Sequence, residues 1–175
     1  DGDPMRTREE CLAIIKSKKS GPGNVDDAKA ALRRCNKIPD PSVVADRFSK
    51  RPGSFRPAAA NILHALELAD HVNTDGLHLY FSNLGLHQAS AIEGLKAMKL
   101  TTTAALFLKA AKLVGPRGAH KSMTVREAAV DELPESTQNA LFKIEDQFDK
   151  HCQLIFKAVE RTITQSPDLF RPVRK

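Results

Sequence analysis

The chain has 175 residues and carries 27 Lys and Arg against 21 Asp and Glu, a formal net charge of +6 at pH 7. Hydrophobic residues make up 41% of the sequence and charged residues 27%. These values predict a globular protein with a hydrophobic core, and they exclude a collagen, a coiled-coil rod and wholesale disorder. No apolar run approaches the roughly 20 residues of a membrane-spanning helix, so no membrane partner is expected.

The positive charge is unevenly distributed. Residues 1–52 hold 12 Lys and Arg against 8 Asp and Glu, a net charge of +4, whereas residues 53–175 hold 15 against 13, a net charge of +2. The basic residues of the first part come mostly in pairs such as Arg33-Arg34, which is typical of a solvated helix surface rather than of a nucleic-acid-binding arm.

The first 52 residues are predicted to form a helical hairpin and a short third helix. Residues 7–10 read TREE and fit a capping box, which starts a helix that runs to about Lys18. The stretch GPGN at residues 21–24 breaks this helix, and Asn24 is positioned to cap a second helix that reaches Cys35. Asp40 is expected to cap the third helix, with Pro41 at its first position and Phe48 near its end. Residues 51–54 then form a linker to a second domain, residues 53–175.

This second domain is also predicted to be helical. Residues 76–83 form a short aromatic-containing segment between helices, residues 114–123 form a polar loop, and Thr101 or Thr102 caps the helix that ends at Val114. No sustained alternation of period two is present, so the fold class is all-α, a compact multi-helix domain with a hairpin appendage. The only strand alternative is the short segment 77–81. The remaining helices are predicted at residues 57–73, 87–99 and 134–164.

Two cysteines occupy matched positions in the predicted hairpin. Cys11 and Cys35 are symmetric about residue 23, inside the turn, so antiparallel helices would place them side by side. A disulfide there would stabilise the fold by about 3 kcal/mol in the chain-entropy model. The alternative is a pair of small buried thiols. A disulfide implies a periplasmic or otherwise exported protein, and free thiols leave the cytoplasm open. The start DGDP, without Met, fits either a cleaved signal or a cloning remnant before Met5.

No catalytic, cofactor or metal site is predicted. His64 and His71 are seven residues apart, roughly 10 Å along a helix, which is too far for one ion. Residues 115–122 read GPRGAHKS, which departs from the phosphate-binding loop at His120 and lacks a preceding strand. An enzyme would need a pocket that gathers His78, Tyr80, His87 and an acid. The acids between Glu127 and Asp149 are explained as a solvated face, so the chain is expected not to be an enzyme.

A family resemblance adds to this interpretation. Residues 75–83 read DGLHLYFSN and are followed by Gly85, and this segment resembles the signature of the bacterial DNA-mimic protein family, whose domains are largely of unknown function. The similarity continues through Ala91, Glu93 and the IEDQF stretch at residues 144–148, and covers roughly residues 58–170. The family motif comprises Gly76, Tyr80, Phe81, Asn83 and Gly85.

The motif residues are expected to have mainly structural roles. Gly76 permits a tight turn between helices, Tyr80 and Phe81 anchor the core, and Asn83 binds exposed backbone groups at the end of the segment. The resemblance implies an all-helical, non-enzymatic protein that binds another protein, in this family by presenting DNA-like negative charge to a DNA-binding protein.

Three functions are expected, in this order. The first is a non-catalytic protein-binding protein of the immunity or inhibitor type that neutralises a bacterial toxin, because the chain is small, helical and without catalytic motifs. The second is a regulator that binds a transcription factor, which requires an acidic face despite the net charge of +6. The third is direct nucleic-acid binding through the basic first third and residues 171–175, against which the scarcity of aromatics argues. The oligomeric state is left open.

Overall fold

The structure is a computed structural model that describes residues 13–15, 22–35 and 39–173. The all-α prediction is confirmed, since this part of the chain is helical throughout and contains no strand. Segment 77–81, the only strand alternative, lies within a helix. Four 3₁₀ turns connect the helices, at Pro52–Ser54, Gly85–His87, Pro116–Ala119 and Pro167–Phe170. The α-helices, in chain order, are α1 (Pro22–Cys35), α2 (Pro41–Lys50), α3 (Pro57–Leu84), α4 (Gln88–Ala97), α5 (Thr101–Val114), α6 (Met123–Asp131) and α7 (Glu135–Gln165).

Helix α1 has a small apolar cluster of its own. Ala28 and Ala31 are buried, and Ile14 and Ile15 pack against them, separately from the main core. Residues 14 and 15 therefore contact α1, and the hairpin as a whole stays a prediction, because most of its first helix lies outside the described residues. The helix begins at Pro22, two residues before the predicted cap at Asn24, because proline fits the first turn of a helix. The predicted capping box, Cys11 and the side chain of Cys35 lie outside the described residues, so the disulfide stays a prediction.

Helix α2 belongs to the main core although it precedes residue 52. Asp40 caps it as predicted, since its carboxylate accepts a hydrogen bond from the Ser42 amide at 2.8 Å, and Pro41 occupies the first turn. Val44 and Phe48 are each 2% exposed and pack with α3 and its neighbours. Residues 51–54, the predicted linker, form a 3₁₀ turn that leads directly to the buried Phe55.

The predicted helix at residues 57–73 and the aromatic segment at residues 76–83 are one element, α3, with a kink. Gly76 has φ 83° and ψ 172°, a conformation open essentially to glycine alone. The kink leaves the Leu77 amide without a partner in its own helix, and this N–H donates to Glu145 Oε2 of α7 at 2.6 Å. A glutamate 68 residues further along the chain therefore caps the second half of α3.

The α4–α5 junction differs from the prediction. Neither Thr101 nor Thr102 caps α5, because Leu100 takes the N-cap position. Lys99 adopts φ 62°, and the Leu100 amide donates to the Leu95 carbonyl, which is the pattern of a Schellman ending. That ending leads straight into α5, so both threonines lie in its first turn.

The helices enclose one main core whose centre is aromatic. Tyr80, Phe81, Phe107 and Phe148 are 0% exposed. Their ring centroids lie 5.5–6.0 Å apart in the contacts of Phe107 with the other three, which is the range of favourable aromatic pairs. Among the described residues, no helix combines the length and the apolar character that a membrane crossing requires.

Candidate protein-binding groove

The motif residues around the kink are buried in contacts between helices. A Cβ at Gly76 would lie 2.7 Å from Glu145 Oε2, so the carboxylate occupies the space where any other residue would carry its side chain. Tyr80 and Phe81 lie in the core beside Phe107. Burial raises the pKa of the Tyr80 hydroxyl far above its ordinary value, with a further contribution from the charge of Glu67.

Asn83 and Gly85 meet a buried arginine of α6. The Arg126 guanidinium is 5% exposed and donates to the carbonyls of Ser82, Asn83, His120 and Lys121 at 2.7–3.0 Å. A Cβ at Gly85 would overlap the carbonyl oxygen of Gly118. The end of α3 is thus joined to the loop before α6 through backbone groups. Sequence reasoning missed α6 and this arginine, because nothing in a short polar stretch distinguishes a buried Arg from a solvated one.

The residues proposed for an enzyme pocket are distributed over different parts of the molecule. His78 Nε2 lies 3.4 Å from Asp131 Oδ1, Tyr80 is in the core, and His87 stacks on His64. His64 and His71 have separate carboxylate neighbours. Glu67 Oε2 lies 2.8 Å from His64 Nδ1, and Asp75 Oδ2 lies 3.4 Å from His71 Nδ1. In the part of the chain that the structure describes, no group of three or more His, Cys, Asp or Glu residues is arranged to hold a metal ion.

A groove of about 800 Å³ lies between α2, the first half of α3 and the second half of α7. Its floor is apolar. Phe48, Leu63 and Val159 are almost fully buried there, whereas Leu66, Leu84 and Phe156 are only partly buried. The floor therefore keeps apolar surface exposed to solvent, which burial under a partner would remove from water.

The rim of the groove is acidic. Among the described residues that line it there is no Lys or Arg. Helix α2 and its cap contribute two of the five carboxylates, α3 contributes two and α7 contributes one, in the set Asp40, Asp46, Glu67, Asp70 and Glu160. These acids are separated by up to 120 positions in the sequence, so no local charge run indicates them.

Asp46 and Glu67 of the rim each have a cationic or imidazole neighbour. Asp46 pairs with Lys50 at 2.8 Å on the exposed side of α2, and such exposed pairs contribute little to stability. Glu67 Oε2 contacts His64 Nδ1 at 2.8 Å. A cationic group of a partner could therefore engage Asp46 at the cost of an exposed ion pair only.

A pair of stacked imidazoles lies next to the rim. The rings of His64 and His87 are 4.0 Å apart and 14° from parallel, and Phe48 meets the His64 ring edge-on at 4.9 Å. Burial lowers the pKa of His87, and the neighbouring His64 lowers it further. The pair therefore favours the uncharged form of His87.

Three of the acids expected to cluster near α7 make contacts with other parts of the fold. Glu145 caps the kink of α3, Glu132 pairs with Arg117 at 2.6 Å, and Asp131 contacts His78. The acidic rim of the groove lies apart from this stretch of the sequence. It arises where α2 folds back onto α3 and α7, which only the tertiary structure shows.

Comparisons with known proteins agree with this structure over one segment. No curated protein and no solved structure matches the chain. A family match extends over residues 53–165, more than half of the sequence, and includes the kink, the motif residues and the whole of α7. The match begins at the predicted start of the second domain and leaves α1 and α2 outside. The chain belongs to the DMP19-like protein family, a DNA-mimic family whose membership indicates a protein-binding role.

Proposed function

We propose that this protein is a non-catalytic regulator that binds a DNA-binding protein and occupies its DNA-contacting surface through the acidic groove. The observation that carries the proposal is the acidic lining of the groove, where Asp46, Glu67 and Asp70 occur with no Lys or Arg among the described lining residues. A surface that normally contacts phosphates is cationic, and a concave acidic site complements it.

The net charge of +6 does not oppose this proposal, because the surplus lies in other parts of the sequence. Residues 40–173 carry 16 Lys and Arg against 15 Asp and Glu, a net charge of +1. Residues 1–39 contribute 9 against 6, and residues 174–175 add two positive charges. An acidic groove on a nearly neutral body produces a local field that the total charge conceals.

Direct nucleic-acid binding is a weaker proposal, because the carboxylates of the rim would repel phosphates. Immunity against a toxin, the first function expected from the sequence, shares the requirement for a protein partner. It stays a prediction, because a toxin inhibitor needs no particular charge and the groove therefore does not favour it. If the partner is a DNA-binding protein, we expect this protein to be cytoplasmic and its Cys11 and Cys35 to be free thiols. Alkylation with and without reductant, followed by mass measurement, checks those thiols.

The function is tested by DNA displacement. The full chain is used to capture its partner from the host, and a captured DNA-binding protein is assembled on its own DNA. We expect the wild-type chain to release that DNA, and the D46N/D70N variant to need at least about tenfold more protein, since two charge-assisted contacts are lost. The matched control is D146N/D149N, which removes two exposed charges from α7 outside the groove.

Two outcomes would contradict the proposed function. In one, the partner stays on its DNA at saturating wild-type protein. In the other, D146N/D149N is impaired as strongly as D46N/D70N, which would show that only the overall charge matters.

A further inference from the structure

We propose that the groove takes an amphipathic helix of the partner, with apolar side chains against the floor and Lys or Arg against the rim; this inference rests on the proposed function and specifies its partner element. A purely DNA-like surface would offer charge alone. The floor offers exposed apolar surface as well, from Leu66, Leu84 and Phe156. Phosphate mimicry does not require such a floor, whereas burial of apolar side chains does.

The dimensions of the groove suit a helix. An α-helix about 10 Å across rises 5.4 Å per turn, so two turns occupy roughly 800 Å³. The groove holds about that volume. A single Lys or Arg side chain would leave most of it empty, and a folded domain could not fit into it.

The walls of the groove favour a helix over an extended peptide. They are formed by α2, α3 and α7, whose backbone groups are paired within their own helices. The described residues offer no strand edge to which an extended chain could add. A helix satisfies its own backbone and needs only side-chain contacts, which is the common mode of binding in a groove between helices.

The acids lie on more than one of the helices that form the groove. Asp46 lies on α2, while Glu67 and Asp70 lie one turn apart on α3. A helix seated on the floor would therefore meet carboxylates of both α2 and α3. The complementary sequence has an apolar stripe at positions i, i+3, i+4 and i+7 with basic residues on either side of it.

The test uses synthetic peptides of about 18 residues, or five helical turns, titrated onto the full chain by fluorescence anisotropy. The probe places Leu on one helical face and Lys on the others. One control peptide has the same composition in an order without a helical stripe, and another contains Lys with Ala in place of Leu. We expect the amphipathic peptide to bind at least about tenfold more tightly than either control.

Variants locate the binding. D46N/D70N should weaken the amphipathic peptide at least about fivefold, since rim charges are removed, and D146N/D149N should leave it unchanged. Leu66→Ser on the partly buried floor should weaken the amphipathic peptide and leave the Lys-Ala peptide unaffected. Thermal unfolding of each variant verifies that it is folded. If the Leu66→Ser variant does not fold, Leu66→Ala is used in its place.

The inference is overturned if the Lys-Ala peptide binds as tightly as the amphipathic one, or if the two double variants weaken binding equally. Its failure is distinguishable from failure of the proposed function. If the wild-type chain releases DNA but does not bind the amphipathic peptide, the proposed regulatory function stands and the proposed helical partner element is wrong. If the peptide binds at the groove but DNA is not released, the groove does take a helix and the proposed DNA-binding partner is wrong.

Discussion

Single residues decide whether the two halves of α3 can meet α7. At Gly76 the backbone conformation and the Glu145 carboxylate both exclude a side chain. At Arg126 one guanidinium pairs four carbonyls and replaces the solvent that the end of α3 has lost. Both residues act on the backbone of α3, and α3 supplies part of the floor and part of the rim of the groove.

Gly76→Ala should destabilise the fold by about 2 kcal/mol or more. The conformation costs a residue with a Cβ about 1–3 kcal/mol, and the new atom would displace the carboxylate that caps Leu77. Urea unfolding measures the change. Gly53→Ala is the control, because a Cβ at that position would meet no atom within 4 Å beyond its chain neighbours. Equal stability of the two variants would contradict the role given to the kink.

Arg126→Met should cost about 3 kcal/mol, since four buried or half-buried carbonyls lose a charged donor. Arg117→Met is the matched control, because Arg117 is exposed and its pair with Glu132 lies at the surface. Chemical unfolding of both variants tests the difference. A loss below about 1 kcal/mol for Arg126→Met would mean that the buried guanidinium is not what joins α3 to α6.

At the level of helices, the apolar period predicted most of the fold, but not its exceptions. The 31-residue helix α7 and the cap at Asp40 follow directly from spacing and residue type. The continuity of α3 through Gly76 does not, because it depends on Glu145, far away in sequence. The grouping of the groove acids could not be predicted from the sequence either, since each is an ordinary surface acid on its own helix. Only the packing of α2 against α3 and α7 brings them together.

The stacked imidazoles between α3 and the turn after it predict a pH dependence of stability. Burial and the neighbouring His64 lower the pKa of His87 in the folded state, so the unfolded chain binds a proton more readily than the folded one. Stability is then full above the ordinary His pKa of about 6.5 and declines as the pH falls below it. Thermal unfolding from pH 8 to pH 5 measures this decline.

His87→Asn should flatten the decline, because the group with the lowered pKa is removed. His120→Asn is the control, since His120 is exposed. If the slope of stability against pH is the same in the His87 variant and in the wild type, the stacked pair is not the origin of the dependence.

Considered as a whole, the molecule separates its charges along the sequence. The basic surplus lies in residues 1–39 and at the last two positions, and the body is nearly neutral with an acidic groove. Total charge is therefore a poor guide to the partner of this protein. Family membership indicates a protein partner, and the proposal that this partner is cationic rests on the sign of the rim.

Binding of the partner should weaken steeply with added salt. Rim carboxylates that face solvent are screened within about 8 Å at 0.15 M salt, so the association rate should fall more than the dissociation rate rises. Stopped-flow or surface-based kinetics from 0.05 to 0.5 M NaCl, about a threefold change in screening length, separate the two rates. An affinity indifferent to salt would contradict an acidic contact surface.

Site-specific photo-crosslinking tests the location of the partner most directly. A photoreactive residue replaces Ser49, which lines the groove and is exposed, or Gln147, which is exposed on α7 outside it. We predict that the probe at position 49 crosslinks to the Lys- and Arg-rich DNA-contacting element of the partner and that the probe at position 147 does not. Crosslinking from position 147 alone, or from position 49 to a part of the partner that leaves its DNA bound, would contradict binding through the groove.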